Sequence, residues 1–554
     1  MKFKKIIPLL LCINCLFAQE SLKSIEEEYY DFLSLQGILE RPTLNYRTLS
    51  DSVWSIDEKI EHLWENNNLG TTKNLWTFEN KKSNWFLNGL NTNINLKLYG
   101  PEWYNSYNTS APYGQNDGAL WQGKGYNTSF TAGARLEAFG FELTIKPQIT
   151  FSQNLEFEYI KNNYNNFNYF TNYIDLVQRY GDSSFWQFDW GDSEIRWTLH
   201  TFTIGFGTQN AWLGPMYLNP MLGSNNASTY PKLDFGFRKT SLYIPYSNWY
   251  IGDFEARTWA GCLSESKYFD SDNSNKHNLL VGLSFSYAPS FIPNFTVGFN
   301  RIYLTRFKLS NLYYWLYLFQ LNDVNNWAEE DDGEDQKVAL YAHWFFEKIG
   351  FEVYGEYGFD DFSSDKKANP FHTGIYSIGA KQNIPLPHKD FQSQIIFECN
   401  NFEMSQDFQL QWKYYGYYAH SKISQGYTQN GQIIGAGSGQ MGNSQYLAYK
   451  LYYPKGSSLI YFHRFCPNNN YIYNMAVYND ASYDASVKGK NSIWADYYGN
   501  YETYFVFGAN SQYFVLPNLS LQVNLAYIYI WNRNYIRNSS LKSFQFGLEM
   551  KYTF

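Results

Sequence analysis

The stretch "SFQFGLEMKYTF", Ser543–Phe554, alternates without a break. Phe544, Phe546, Leu548, Met550, Tyr552 and Phe554 are apolar, and the residues between them are polar or small. A period of two is the signature of a strand whose two faces meet different media.

The same pattern recurs upstream. In "LSLQVNLAYIYIW", Leu519, Leu521, Val523, Leu525, Tyr527, Tyr529 and Trp531 share one face. "FELTIKPQITF" sets Phe141, Leu143, Ile145, Ile149 and Phe151 against Glu142, Thr144, Lys146, Gln148 and Thr150. "LLVGLSFSY" (Leu279–Tyr287) and "FEVYGEYGF" (Phe351–Phe359) read alike. Each run is about the 9–11 residues that a tilted strand needs to cross a bilayer. Tight connections, "IPNF" (Ile292–Phe295) and "LPNL" (Leu516–Leu519), alternate with long polar ones such as "DSDNSNKHN" and "NDVNNWAEEDDGEDQK". Short turns at one end and long loops at the other are the asymmetry of an outer-membrane barrel.

Composition agrees. The chain of 554 residues is 20 % aromatic, with 51 Tyr, 44 Phe and 18 Trp, yet its mean hydropathy is −0.47. Beyond the first residues, no segment reaches the roughly 18–20 consecutive apolar residues of a spanning helix. A soluble sandwich or β-helix would also alternate, but would not need aromatics in nearly every strand. In hydrocarbon every backbone polar group must be paired, so the sheet must close, and aromatics suit the interfaces. The expected fold is therefore an all-β, closed antiparallel transmembrane barrel over residues 84–554. Roughly 470 residues at about 26 per strand and connection predict about 16–18 strands.

Residues 1–18, "MKFKKIIPLLLCINCLFA", carry Lys2, Lys4 and Lys5 before an apolar run and read as a cleaved signal peptide. A lipoprotein is the alternative, although the residues before Cys12 and Cys15 suit it poorly. Residues 19–83 are expected to form a small, mainly helical, water-facing periplasmic region. Leu22, Ile25, Tyr29, Phe32 and Leu33, and then Val53, Ile56, Ile60 and Leu63, recur at helical spacing. Such a region is too small for a globular plug. Cys262, Cys399 and Cys466 are too few and too scattered for a disulfide framework. The formal net charge is −8, three units more negative once the signal lysines leave, so a basic nucleic-acid footprint is absent.

Chemical motifs are weak. "GSGQMG" (Gly437–Gly442) fits G-x-G-x-x-G, but "NSQYLAYKLYY" follows with strand rather than helix character. "EEDDGED" (Glu329–Asp335) lacks the offsets of an EF-hand. Glu352, Glu356 and Asp360 share one face of a strand, as the paired carboxylates of a glycosidase could, yet a barrel lumen holds many such residues. No nucleophile motif accompanies His420 or the other histidines. No cofactor or metal is expected, nor catalysis.

Three stretches together resemble the capsule assembly Wzi family of outer-membrane proteins in its Bacteroidetes-type form. The first is "FGTQNAWLGPMYLNPMLGSNNASTYPKLDFGF", with Gln209, Trp212, Gly214-Pro215 and Ser224-Asn225-Asn226-Ala227. The second is "VYGEYGFDDF", with Gly355-Glu356-Tyr357 and Asp360-Asp361, followed by His372. The third is "YYAHSKISQGYTQNGQIIGAGSGQMGNSQ", with His420 and Gly426-Tyr427-Thr428. The chain departs from the family pattern at Leu213 and Met216, where another glycine or a polar residue is expected.

The resemblance implies a non-catalytic, lectin-like barrel that holds capsular or exopolysaccharide at the cell surface, and N-terminal helices on the periplasmic side. The further partners expected are outer-membrane lipid and, during biogenesis, the barrel-assembly machinery. Trp212, Asn225, Asn226, Glu356, Asp360, Asp361, His420 and Tyr427 are the ligand candidates it implies. Trp103 and Trp121, in the stretch Gly100–Asn127 read as a loop, join them because aromatic faces stack on sugar rings. Asn and Gln side chains can hydrogen-bond sugar hydroxyls. No Lys/Arg cluster marks a patch for an acidic polymer. A diffusion porin or saccharide-export channel is the alternative function, and an outer-membrane hydrolase a third.

Overall fold

The computed structural model describes residues 24–56, 60–67, 76–78, 93–160, 173–270, 272, 274–319, 333–360, 372–405, 416–469, 471 and 499–554. Among them, eighteen antiparallel strands close into a barrel. Consecutive strands pair in order from Ile94–Asn108 to Ser540–Tyr552, and these two close the ring from Asn108 opposite Gln545 to Glu102 opposite Lys551. Two strands are interrupted. One runs from Phe141–Ile145 into Gln148–Ser152, broken where Pro147 has no N–H to give. Its neighbour runs from Phe185–Asp189 into Glu194–Leu199. A short edge strand, Trp76–Phe78, pairs with Ile94–Leu96 below the closure.

The opening alternation is the wall itself. Phe544, Phe546, Leu548 and Met550 point outward with 39–50 % of their surface exposed, while Ser543, Gln545 and Lys551 are buried toward the lumen. "IPNF" and "LPNL" both form turns at the same end, with Asn294 at φ 59° in the first. Among the described residues no helix is long and apolar enough to cross a membrane; strands do the crossing.

The N-terminal region differs from its expectation. One α-helix forms, Ile25–Ser34, capped by Ser24, whose Oγ accepts the Glu27 N–H at 3.1 Å. Of the second expected helix, residues 57–59 lie outside the described residues; residues 53–56 and 60–63 carry no helix, and Trp64 sits in a turn. The segment is not water-facing either. Tyr29, Tyr30, Phe32 and Leu33 pack with Trp54 and Trp64 against Tyr452 and Phe514 of the wall at the turn end. The Trp64 indole N–H donates to the Tyr453 carbonyl at 2.8 Å. Between the helix and Trp54 the chain runs inside the barrel, where Arg47 pairs with Trp212 in a short antiparallel bridge. The polar positions of the helix Ile25–Ser34 meet wall lysines rather than water, and a polar lumen wall demands the same residue types as a solvated face.

The stretch Gly100–Asn127 is also not all loop. Residues 100–108 continue the first strand across a register shift between Tyr99 and Glu102.

Candidate functional site

Eighteen strands would leave an open pore, but two inserted segments occupy much of this lumen. The N-terminal segment enters from the turn end and the loop 208–231 folds in from the other. Buried carboxylates on the wall hold both by their backbone. Glu255 accepts the N–H groups of Leu44, Asn45 and Tyr46 at 2.6–3.1 Å. Glu398 accepts those of Tyr217, Leu218 and Asn219 at 2.7–3.0 Å. Glu356 accepts that of Met221 at 2.9 Å. Charge-assisted bonds of this kind are the strong ones, and here they satisfy irregular backbone that has no ladder partner.

Ion pairs add to the grip. Glu26 meets Lys551 at 2.9 Å, Glu28 meets Lys450, and Asp31 meets Lys381 at 2.5 Å. Arg41 bridges Asp31 at 2.8 Å and Glu352 at 2.6 Å. Asp51 lies between Arg257 at 3.0 Å and Arg238 at 2.7 Å. Burial acts to raise the Asp51 pKa, but these guanidiniums outweigh it and hold the carboxyl well below the usual carboxylate range. The wall residues of these pairs come from separate strands, so sequence reasoning missed them; the only signal was a charged residue at a lumen-facing alternate position.

The candidates drawn from sequence separate into three groups. Trp212 is fully buried inside the plug, its indole N–H donated to the Met216 carbonyl at 3.0 Å. Leu213 and Met216, the departures from the family pattern, are buried with it. Gly214 beside them has φ 95°, and a Cβ there would overlap the Glu356 carboxylate. Asp360 is paired at 3.1 Å with the wholly buried Lys337, which also holds Asp335. Tyr427 stacks on Tyr418 and donates to the Leu222 carbonyl at 2.7 Å. His420 is buried, its Nδ1 3.2 Å from the Ile423 N–H. These residues converge as packing and hold the plug, leaving no open face for a sugar ring.

Trp103 belongs elsewhere. The register shift turns it outward, 46 % exposed, opposite Met550 and Phe130; it is part of the outer apolar belt. Asp361 and Glu329–Asp332 lie outside the described residues.

Asn225, Asn226 and Trp121 form the third group, and they do meet a cavity. A chamber of about 480 Å3 lies in the lumen beneath the loop 109–124. Tyr104, Tyr113 and Tyr461 supply aromatic surface to it, and Gln522, Asn524 and Gln545 supply amides. Asn225 lines it, and its carbonyl accepts the Gly118 N–H at 2.6 Å. A second pocket of about 180 Å3 lies across the same loop and is lined by Trp121, Asn226 and Gln432. Tyr113 to Asp117 border both spaces.

The Trp121 ring packs on Tyr180 at 5.0 Å, while its indole N–H has no protein acceptor among the described residues. Asp117 accepts from the Gln122 amide at 3.1 Å. Burial pushes its carboxyl up to about 7. "GSGQMG" lies beside this region; Gly442 is required because a Cβ would strike the Cys466 carbonyl, and the strand Asn443–Tyr453 follows it.

Comparison with known proteins bears on this arrangement. The family described as capsule assembly protein Wzi matches residues 105–527. The chain belongs to that family. A solved structure of Wzi, an outer membrane protein involved in group 1 capsule assembly in Escherichia coli and described as a carbohydrate-binding β-barrel, is similar over 97 % of this chain and 100 % of that one. The TM-score is 0.58 and the identity 13 %. OprB from Pseudomonas putida covers 83 % of this chain and 94 % of its own at 11 % identity and TM-score 0.37. OprD from Pseudomonas aeruginosa covers 83 % and 92 % at 10 % identity and TM-score 0.37. No curated protein matches by sequence. As a Wzi-family member the chain is an outer-membrane barrel, with its short turns on the periplasmic side and its long loops outside.

Proposed function

We propose that this chain binds capsular or exopolysaccharide at the cell surface without catalysis, and so helps attach or assemble the capsule. The observation that carries this reading is the pair of polar, aromatic-lined spaces bordering the extracellular loop 109–124, one within the lumen beneath it and one across it. Trp121 offers a ring face, Asn225 lines the larger chamber, and Asn226 borders the smaller one while its amide donates to the Ile433 carbonyl at 2.9 Å; rings and amides are the chemistry that recognises sugars. The larger chamber carries six carboxylates, Glu26, Glu28, Glu102, Asp117, Asp192 and Glu549, against Lys146, Lys450 and Lys551. That balance favours a neutral or amino-bearing sugar over an acidic one.

The channel alternative is disfavoured by the plug, whose two segments are held by buried carboxylates. The hydrolase alternative fares no better, since Glu352, Glu356 and Asp360 are each engaged with a different partner. Membrane lipid and the barrel-assembly machinery remain the other partners of this reading.

The test is binding of isolated surface polysaccharide to the full chain in nanodiscs. Trp121→Ala and Asn226→Ala should weaken it at least severalfold while heat-modifiable gel mobility stays that of a folded barrel. Binding unchanged in both variants would remove the site. In cells, deleting the gene should free polymer into the medium while synthesis continues.

A further inference from the structure

The segment after the strand Phe295–Arg306 reads as the start of an extracellular loop, yet it does not stay outside. Residues Leu309–Tyr313 and Tyr314–Tyr317 form a short 3-10 and α-helical run. It folds back down the outer surface of the barrel. Tyr314 and Leu318 pack on Leu279, Val281 and Tyr303. Those wall residues share the outward face of their strands, because Val281 pairs with Tyr303 and with Ala260, while the neighbouring Asn278 and Ser284 point inward to Gln425 and Asn45.

The depth of the descent can be read from Trp315. Its indole N–H meets the Thr258 hydroxyl at 2.5 Å, and its ring lies 5.4 Å from that of Phe235. Thr258 is six residues below Ser264, the extracellular end of its strand, which is about 20 Å along the strand. Phe235 is an exposed outward side chain, and Leu233, nearer the extracellular end on the same face, is exposed too. The segment therefore lies level with bare apolar wall.

What it covers explains why it is there. Arg301 points outward, opposite Leu283 and Val338, where an uncovered guanidinium would face lipid and destabilise the barrel. Instead it is buried: it donates to the Leu318 carbonyl at 3.2 Å, to the Tyr303 hydroxyl at 2.6 Å and to Gln336 at 2.7 Å. The outer side of the segment is apolar. Leu309, Leu312, Leu316 and Phe319 are 80, 39, 66 and 65 % exposed.

We propose that residues 307–319 form a cuff embedded in the outer leaflet: the inner face seals Arg301 and Thr258 from hydrocarbon, and Leu309, Leu312, Leu316 and Phe319 contact lipid acyl chains. The occupant is lipid because the exposed face of Leu309, Leu312, Leu316 and Phe319 is apolar and continuous with the apolar belt, and the one charged residue of the segment, Lys308, stands at its start beside the extracellular end of the strand. The cuff stands independently of the glycan reading, since it lies on the opposite side of the wall.

The test uses the full chain in liposomes, with Cys262, Cys399 and Cys466 changed to Ala and a nitroxide on Leu316→Cys. Collision with dissolved oxygen should exceed collision with a water-soluble nickel complex. A label on Tyr246→Cys, in a periplasmic turn, should show the reverse. Nickel access at 316 equal to that at 246 would overturn the proposal. So would spin–spin broadening that disappears on dilution with unlabelled protein, which would put a second copy of this chain on the face. If Leu316→Cys does not fold, Leu309→Cys reads the same surface.

Discussion

The carboxylate of Glu398, on the barrel wall, accepts the backbone N–H of Tyr217, on the returning loop, at 2.7 Å. With the N–H groups of Leu218 and Asn219 on the same two oxygens, one side chain fixes three consecutive residues of the plug. Glu398→Ala strands those donors in a buried place at about 1–3 kcal/mol each. The expected outcome is a lowered unfolding temperature and new protease cleavage within residues 208–231. Glu398→Gln, which keeps one acceptor oxygen, should lose less.

Gly214 tests the same plug from the loop side. Its φ of 95° and its closeness to Glu356 leave no room for a Cβ. Gly214→Ala is expected to reduce the yield of folded barrel, read as the loss of the heat-modifiable band. Pro215→Ala, one residue on, is expected to cost far less.

Acid should loosen the N-terminal segment. The Asp51 carboxyl is held well below its ordinary value by Arg257 and Arg238 against the opposing effect of burial. A depressed pKa contributes stability that is fully present above the unfolded value of about 4 and is lost as pH falls through the folded value. Protease sensitivity of residues 40–56 should therefore rise on acidification below about pH 4. In Asp51→Asn the same segment should be sensitive already at neutral pH, with a flatter profile.

Asp117 should respond in the opposite sense. Burial raises its pKa to about 7, so the folded loop holds a proton that the unfolded chain would release. Stability then falls as pH rises from about 4 toward 7. Cleavage within residues 112–123 should increase from about pH 4 to about pH 7 and level off above it, and Asp117→Asn should abolish that dependence.

The barrel was legible in the sequence because lipid on one side and polar lumen on the other impose a strict alternation, as in Ser543–Phe554. Even the strand number fell inside the expected range. The plug was not legible. A segment inside a polar lumen meets the same kind of partners as one in water, so Glu26, Glu28 and Asp31 read as a solvated helix face although each meets a wall lysine. Trp212 and Tyr427 stand in the family's motifs as ligand candidates, but both side chains are buried in the plug's packing. Trp103 reads as a loop residue because Gly100-Pro101 breaks the alternation, whereas the strand resumes after a register shift and turns it outward. Asn225 and Asn226, implied by the family resemblance, and Trp121, taken from the composition of the loop, do border the cavities.

The most direct measurement of the central claim is planar-bilayer conductance of the full chain at neutral pH. A surface glycan binder with a carboxylate-held plug should insert without steady conductance steps, and Glu398→Ala should introduce them. Large, persistent ohmic steps from the unaltered protein would contradict the closed lumen and restore the channel reading.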